Sequence, residues 1–169
     1  VLSDDPKATE VNITEGDLSS FSIHVLEDPA RAVDQMLAAI DMTDPVQFGE
    51  LVTLRGRSEL DSNFAPGDTL ILQTVWQADQ VAEQPLIVFV HLSNEAGEWF
   101  AGWDRLDVNP ESWGIGDVFV LNHELVIPAD APPGIYKVTA GWYSPVTGTR
   151  LIIGQSQDVT LLGEIEIES

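Results

Sequence analysis

Short apolar segments with a period of two, separated by proline and glycine turns, fill the chain from residue 48 onward. This alternation places successive side chains on opposite faces of an extended strand, so each segment predicts a strand with one buried face. Eight such segments lie at 48–60, 69–77, 86–92, 98–104, 117–127, 135–143, 149–154 and 158–167. Many short strands joined by turns are typical of two packed antiparallel sheets. We therefore predict an all-β chain forming an antiparallel two-sheet β-sandwich, either immunoglobulin-like or jelly-roll-like.

One segment near the N-terminus, DPARAVDQMLAAI, has a helical period instead. Asp28 is a suitable N-cap, Pro29 suits the first helical position, and the apolar residues that follow recur at helical spacing. The pattern predicts a short helix over 29–40 that packs on the sandwich. The predicted parts are residues 1–44, an acidic arm with a strand and this helix, and residues 45–169, the β-sandwich domain.

The stretch ADAPPGIYKVTAGWY, residues 129–143, predicts a corner from which a strand begins. Pro132 and Pro133 cannot donate to a strand ladder, and Gly134 reaches backbone conformations that are costly for other residues. Tyr136 lies near the start of the strand, where sandwich folds often bond a tyrosine hydroxyl back to the preceding connection. We expect a structural corner here, not a ligand-binding loop.

The net charge of the chain restricts its possible partners and cofactors. Its 28 acidic and seven basic residues give a formal charge of −21, and such a surface repels phosphate backbones. We therefore expect no nucleic-acid partner. Carboxylates suit calcium, but the acidic loops at 93–98 and 107–112 lack the EF-hand pattern. We expect no cofactor, with calcium as the alternative left open.

The remaining site chemistry is also restricted. The chain has no cysteine, which excludes thiolate catalysis and cysteine zinc sites. His91 and His123 lie on predicted strands without a short metal-ligand spacing, so we expect structural histidines and no metal site. Among so many acidic residues, a carboxylate pair at the separation found in glycosidases arises by chance. We predict no catalytic residues, with a glycoside hydrolase as the least favoured alternative.

The tryptophans give the one indication of a ligand-binding function in the sequence. Trp76 and Trp142 are expected in the core. Trp99 and Trp103 have the same parity along one strand, and Trp113 follows in a glycine-rich segment that is hard to bury. An exposed ring beside polar groups can stack on a sugar. The alternative for Trp99 and Trp103 is a place between the sheets. The candidate ligand-binding residues are Trp99, Trp103 and Trp113, with Asp104 and Asp107 as acceptors for sugar hydroxyls.

Four stretches carry a family resemblance: FAPGDTLILQTVWQA, VFVHLSNEAGE, LVIPADAPPGIYKVTAGWYSPVTGTRL and DVTLLGEIEI. Over roughly residues 45–167 the chain resembles the extracytoplasmic C-terminal β-sandwich domains of bacterial membrane glycosyltransferases of the protein-mannosyltransferase-like class. The resemblance implies a domain tethered outside the cytoplasm, whose partner is the membrane-embedded part of the same polypeptide. It also implies that catalysis belongs to that membrane part.

Together these observations predict a non-catalytic accessory domain of a membrane glycosyltransferase-like protein, with a glycan as its ligand. The alternative is a purely structural spacer or a protein-docking module. Exposed aromatic side chains in a groove would favour the first function. A spacer or docking module would need only a hydrophobic core and some exposed apolar surface.

Overall fold

The computed structural model describes residues 9–11, 23–25, 40–105 and 110–168. Within them the regular structure is β, apart from one 3-10 turn at Pro110–Ser112. The helix predicted over 29–40 lies outside the described residues, except that Ile40 begins a strand. No helix in this part of the chain is long and apolar enough to cross a membrane.

The strands in chain order are β1 (Thr9–Val11), β2 (Ile23–Val25), β3 (Ile40–Phe48), β4 (Val52–Ser58), β5 (Asn63–Phe64), β6 (Thr69–Ala78), β7 (Ile87–Asn94), β8 (Trp99–Arg105), β9 (Val118–Val126), β10 (Gly134–Tyr143) and β11 (Thr160–Ile167). Strands β1 and β2 pair antiparallel in a separate unit, Val1–Ala39. The other nine strands belong to the compact unit Ile40–Ser169.

These nine strands form two sheets. The four-stranded sheet has the order β3-β4-β6-β9, and the five-stranded sheet has the order β5-β11-β10-β7-β8. All pairings are antiparallel except the short parallel contact of β5 with β11. The chain changes sheet after β4, β5, β6, β8 and β9, so only the connections β3 to β4, β7 to β8 and β10 to β11 stay within one sheet. The predicted antiparallel two-sheet β-sandwich is confirmed.

Seven of the eight predicted segments contain a strand, and the exception is 149–154. There Arg150 and Ile153 make only isolated bridges, because Gly148 and Gly154, both with positive φ, turn the chain at either end. Strand β3 was not predicted, because Asp44 and Pro45 interrupt the alternation in IDMTDPVQF. It is an edge strand, and its register with β4 shifts between Met42 and Val46, where Pro45 is tolerated.

The core between the sheets is built around aromatic rings. Trp76 on β6 and Trp142 on β10 are fully buried and meet edge to face, with ring centroids 5.2 Å apart. Phe48 at the end of β3 lies 5.5 Å from Trp76 in a similar arrangement. The prediction that Trp76 and Trp142 are core residues is confirmed. These contacts join the two sheets directly.

The predicted corner before β10 is also confirmed. The hydroxyl of Tyr136 donates a 2.8 Å hydrogen bond to the carbonyl oxygen of Pro132. Pro133 lies inside the loop that this bond closes. Gly134 has φ of +152°, a region that residues with a Cβ rarely adopt. The Tyr136 ring is buried and packs edge to face on Phe100.

Candidate functional site

Two of the tryptophans predicted to bind a ligand, Trp99 and Trp103, lie on opposite faces of β8, because the pairing of this strand with β7 is irregular. Against β7, Leu92 pairs with Ala101 but Ser93 pairs with Trp99, so Phe100 is an extra residue in the ladder. Such a bulge reverses the alternation of side chains beyond it. Trp99 therefore faces solvent while Trp103 faces the other sheet, and the prediction that they share a face is wrong.

Trp103 is half-buried in the sandwich. Its ring meets the ring of His123 edge to face, with centroids 4.5 Å apart, and it packs against the core. The alternative of a place between the sheets therefore describes Trp103 correctly. Trp99, in contrast, is 63% exposed.

The expectation that Trp113 presents an open ring is wrong, because its side chain is only 4% exposed. The 3-10 turn before it and the hydrogen bond from the Gly114 N–H to Asp117 fold this segment onto the sandwich. The indole then stacks on Phe119 at 4.9 Å and meets Trp142 edge to face at 5.7 Å. Trp113 is thus a core residue. Asp107 lies outside the described residues.

A groove of about 720 Å³ lies on the outer face of the five-stranded sheet, which we call the outer groove. A row of three directly paired residues from neighbouring strands crosses it: Gly102 on β8, His91 on β7 and Thr139 on β10. These residues alternate with buried ones, so their side chains point away from the core. Trp99 and Arg150 also line the outer groove.

Gly102 leaves space for the rings of His91 and Trp99, which together we call the aromatic wall of the outer groove. A Cβ on this residue would lie 2.8 Å from Cδ2 of His91 and 3.1 Å from Nε1 of Trp99, closer than ordinary van der Waals contact. Without it, the Trp99 ring lies edge to face with His91, with centroids 6.2 Å apart. The missing side chain therefore lets Trp99 lie across the strand.

Asp104, which was predicted as an acceptor, also lines the outer groove and is held by two donors. Its Oδ1 lies 2.9 Å from Nε2 of His91, and its Oδ2 accepts a 3.4 Å hydrogen bond from the Tyr143 hydroxyl. Burial first, and then the charge and hydrogen bond of Asp104, raise the pKa of Tyr143 above its ordinary value. The phenol consequently stays a donor at neutral pH, and the carboxylate keeps a defined orientation.

Arg150 also lines the outer groove, and the sequence pattern did not predict it as a site residue. Its Nη1 donates to Oδ2 of Asp158 at 3.0 Å, and its Cζ lies 4.6 Å from the centre of the Phe89 ring. A backbone bridge to Tyr143 fixes the position of its main chain. Arginine is rare in this chain, but only the folded connection between β10 and β11 brings Arg150 beside His91.

His123 does not belong to the groove. It is fully buried, its Nε2 lies 2.6 Å from Oγ1 of Thr74, and burial lowers its pKa to about 3. The indole N–H of Trp76 donates to that same Thr74 oxygen at 2.6 Å. Among the residues that the structure describes, no three His, Cys, Asp or Glu side chains are arranged to hold a metal ion.

No protein-family model and no curated protein matches the chain. Among solved structures, the C-terminal domain of Wzt is 12% identical, with 73% of this chain and 76% of that one aligned and a TM-score of 0.48. The β-glucosidase from Listeria innocua in complex with glucose is 18% identical over 70% of this chain, with a TM-score of 0.47, and the match spans 16% of the enzyme.

The CARDB domain of the PF1109 protein from Pyrococcus furiosus, in complex with di-metal ions, is 12% identical. It aligns with 75% of this chain and 97% of its own, with a TM-score of 0.41. Similarity at this level, with TM-scores below 0.5, shows no family for this chain. It says nothing of a ligand or an activity for this chain.

Proposed function

We propose that this chain is a non-catalytic domain that binds a carbohydrate in the outer groove. The observation that carries the proposal is the position of Trp99, which is 63% exposed and lines the outer groove together with polar side chains such as Asp104 and Arg150. An open indole beside hydrogen-bonding groups suits a sugar, whose ring has apolar C–H faces and a hydroxyl rim.

The groove also has the size and the polar groups that a sugar needs. Its volume of about 720 Å³ lies within the range of about 300–1,000 Å³ typical of small-molecule sites. Asp104 offers acceptor lone pairs, Arg150 offers N–H donors, and the hydroxyls of Ser93 and Thr139 do both. Sugar hydroxyls need this mixture because each both donates and accepts.

The described lining supports binding over hydrolysis. Glycoside hydrolases of the usual kind use two carboxyl groups on either side of the scissile bond. The part of the groove that the structure describes contains one, Asp104, and its two oxygens accept from His91 and Tyr143. A carboxylate engaged in this way is suited to orient a hydroxyl.

The direct test is calorimetric titration of neutral oligosaccharides into the wild type and the Trp99→Ala variant. We expect the variant to lose at least tenfold in affinity, about 1.4 kcal/mol, because the stacking surface is gone. Ile71→Ala is the matched control, since Ile71 is equally exposed but lies on the four-stranded sheet. Binding that survives Trp99→Ala would contradict the proposed site.

We further propose that the domain acts outside the cytoplasm as an accessory part of a membrane glycosyltransferase-like protein. Its partner would be the membrane-embedded part of the same polypeptide, which would hold the catalytic residues. The support is the resemblance of the four sequence stretches. The test is the native gene product: we expect membrane-spanning helices in it and protease cleavage of this domain from outside intact cells. A product without such helices would contradict the proposal.

The alternative, a spacer or docking module, is favoured by one observation. Ile71 and Val126 are diagonal neighbours on the outer face of the four-stranded sheet and are 65% and 64% exposed. If this surface docks on the membrane part, Ile71→Lys should weaken crosslinking between them. If Ile71→Lys weakens this crosslinking and no glycan binds to the outer groove, the docking function replaces the carbohydrate proposal.

A further inference from the structure

We infer that the outer groove selects an uncharged pyranose unit and discriminates against uronic acids and phosphorylated sugars. The inference rests on the proposed carbohydrate function and names its ligand class. Its basis is that, of the two charged side chains lining the described part of the groove, Asp104 is a carboxylate and Arg150 is already paired with Asp158.

The first of these is Asp104. Its two oxygens face His91 at 2.9 Å and the Tyr143 hydroxyl at 3.4 Å. A neutral hydroxyl can donate to a remaining lone pair while both existing contacts persist. The carboxylate or phosphate group of an acidic sugar has no proton to donate there at neutral pH and would be repelled by Asp104.

The second is Arg150. Asp158 pairs with its Nη1 at 3.0 Å, and the face of Phe89 lies under the guanidinium. A guanidinium has five N–H donors, and the described hydrogen bonds use one of them. Arg150 can therefore donate to a neutral sugar oxygen, whereas an anionic group would have to share the charge with Asp158.

The negative net charge of the whole chain also disfavours anionic sugars. Its formal charge of −21 repels a carboxylate or phosphate approaching the groove. This field is screened beyond about 8 Å at physiological salt. The repulsion therefore acts most strongly on an anionic group that has reached the groove, beside Asp104.

The test compares neutral oligosaccharides of glucose, galactose and mannose with their matched uronic-acid counterparts. Each is titrated calorimetrically at low and high salt. We expect the best neutral sugar to bind at least tenfold more tightly than its uronic-acid counterpart. We also expect its dissociation constant to change less than twofold with salt, and Arg150→Gln to weaken it about fivefold with the same salt dependence.

The outcome that overturns the inference is a charged sugar that binds more tightly than its neutral counterpart and is released by salt. If Trp99→Ala abolishes that binding, the carbohydrate function stands and only the inferred neutrality fails. If no sugar of the panel binds, both fail.

Discussion

Tyr136 ties the corner at residues 132–134 to the start of β10 through its 2.8 Å hydrogen bond to Pro132. Tyr136→Phe keeps the ring in its buried site and removes only the hydroxyl. We expect the free energy of unfolding to fall by about 1 kcal/mol, the usual net value of one hydrogen bond. Chemical denaturation measures it. Glycan affinity serves as the control and should not change, because Tyr136 lies outside the groove lining. An unchanged free energy of unfolding would refute the structural role.

His123 makes the stability of the domain depend on pH. Burial lowers its pKa to about 3 from an ordinary 6.5, so the unfolded state binds a proton first as the pH falls. The contribution of His123 is complete above about pH 6.5 and is lost progressively toward pH 3. By pH 4 the loss amounts to about 3 kcal/mol.

The many carboxylates titrate over the same pH range, so the measurement must be a difference. Urea unfolding at pH 7, 5.5 and 4 should show a steeper loss of stability for the wild type than for His123→Gln, which cannot take up this proton. The two curves should converge on acidification. Parallel curves would mean that His123 is protonated equally in both states.

At the scale of elements, β8 decides which aromatic ring reaches solvent. Its bulge at Phe100 turns Trp99 outward and leaves Trp103 against His123. Gly102 then allows the Trp99 and His91 rings to approach each other across the strand. The aromatic wall of the groove is therefore a property of the bulged strand, not of Trp99 alone.

Gly102→Ala tests this arrangement. Its Cβ would lie 2.8 Å from the His91 ring, so His91 and Trp99 must shift. We expect glycan affinity to fall at least fivefold, and the free energy of unfolding to change by less than about 1 kcal/mol, because the obstructing atoms belong to movable side chains at the surface.

Gly163→Ala is the matched control for that variant. Gly163 is also a strand glycine, and its Cβ would lie 2.7 Å from Cδ2 of Leu60 and 4.0 Å from Nη2 of Arg57, both outside the groove lining. This variant should retain full affinity. Equal losses of affinity in both variants would mean that the effect is a general one of crowding in the sheet.

At the scale of the whole molecule, the sheets are held together by a cluster of indoles and phenyl rings. Trp113 comes from the loop before β9 and covers Trp142 and Phe119. We expect Trp113→Ala to lower the free energy of unfolding by about 3–5 kcal/mol, the usual cost of emptying a buried aromatic site.

Trp99→Ala is the natural comparison, since it removes the same side chain from the surface. It should change stability by no more than about 0.5 kcal/mol. Guanidinium unfolding of both variants therefore separates a core tryptophan from a binding one. A loss below about 1 kcal/mol for Trp113→Ala would contradict its place in the core.

The sequence by itself determined most strands of the sandwich and the corner. Alternation of apolar residues located seven of the strands, and the prolines, Gly134 and Tyr136 located the entry to β10. These features are local: a period of two, a missing N–H and a positive φ act within a few residues. Local chemistry is visible in sequence order, so these predictions hold.

Only the tertiary structure decided which tryptophans are exposed and what surrounds them. One extra residue in β8 reversed the parity that grouped Trp99 with Trp103, and packing against Trp142 buried Trp113. The outer groove joins residues from β7, β8, β10 and the following connection, up to Arg150. Its geometry depends on strand register and on contacts between residues far apart in the chain, which no local pattern encodes.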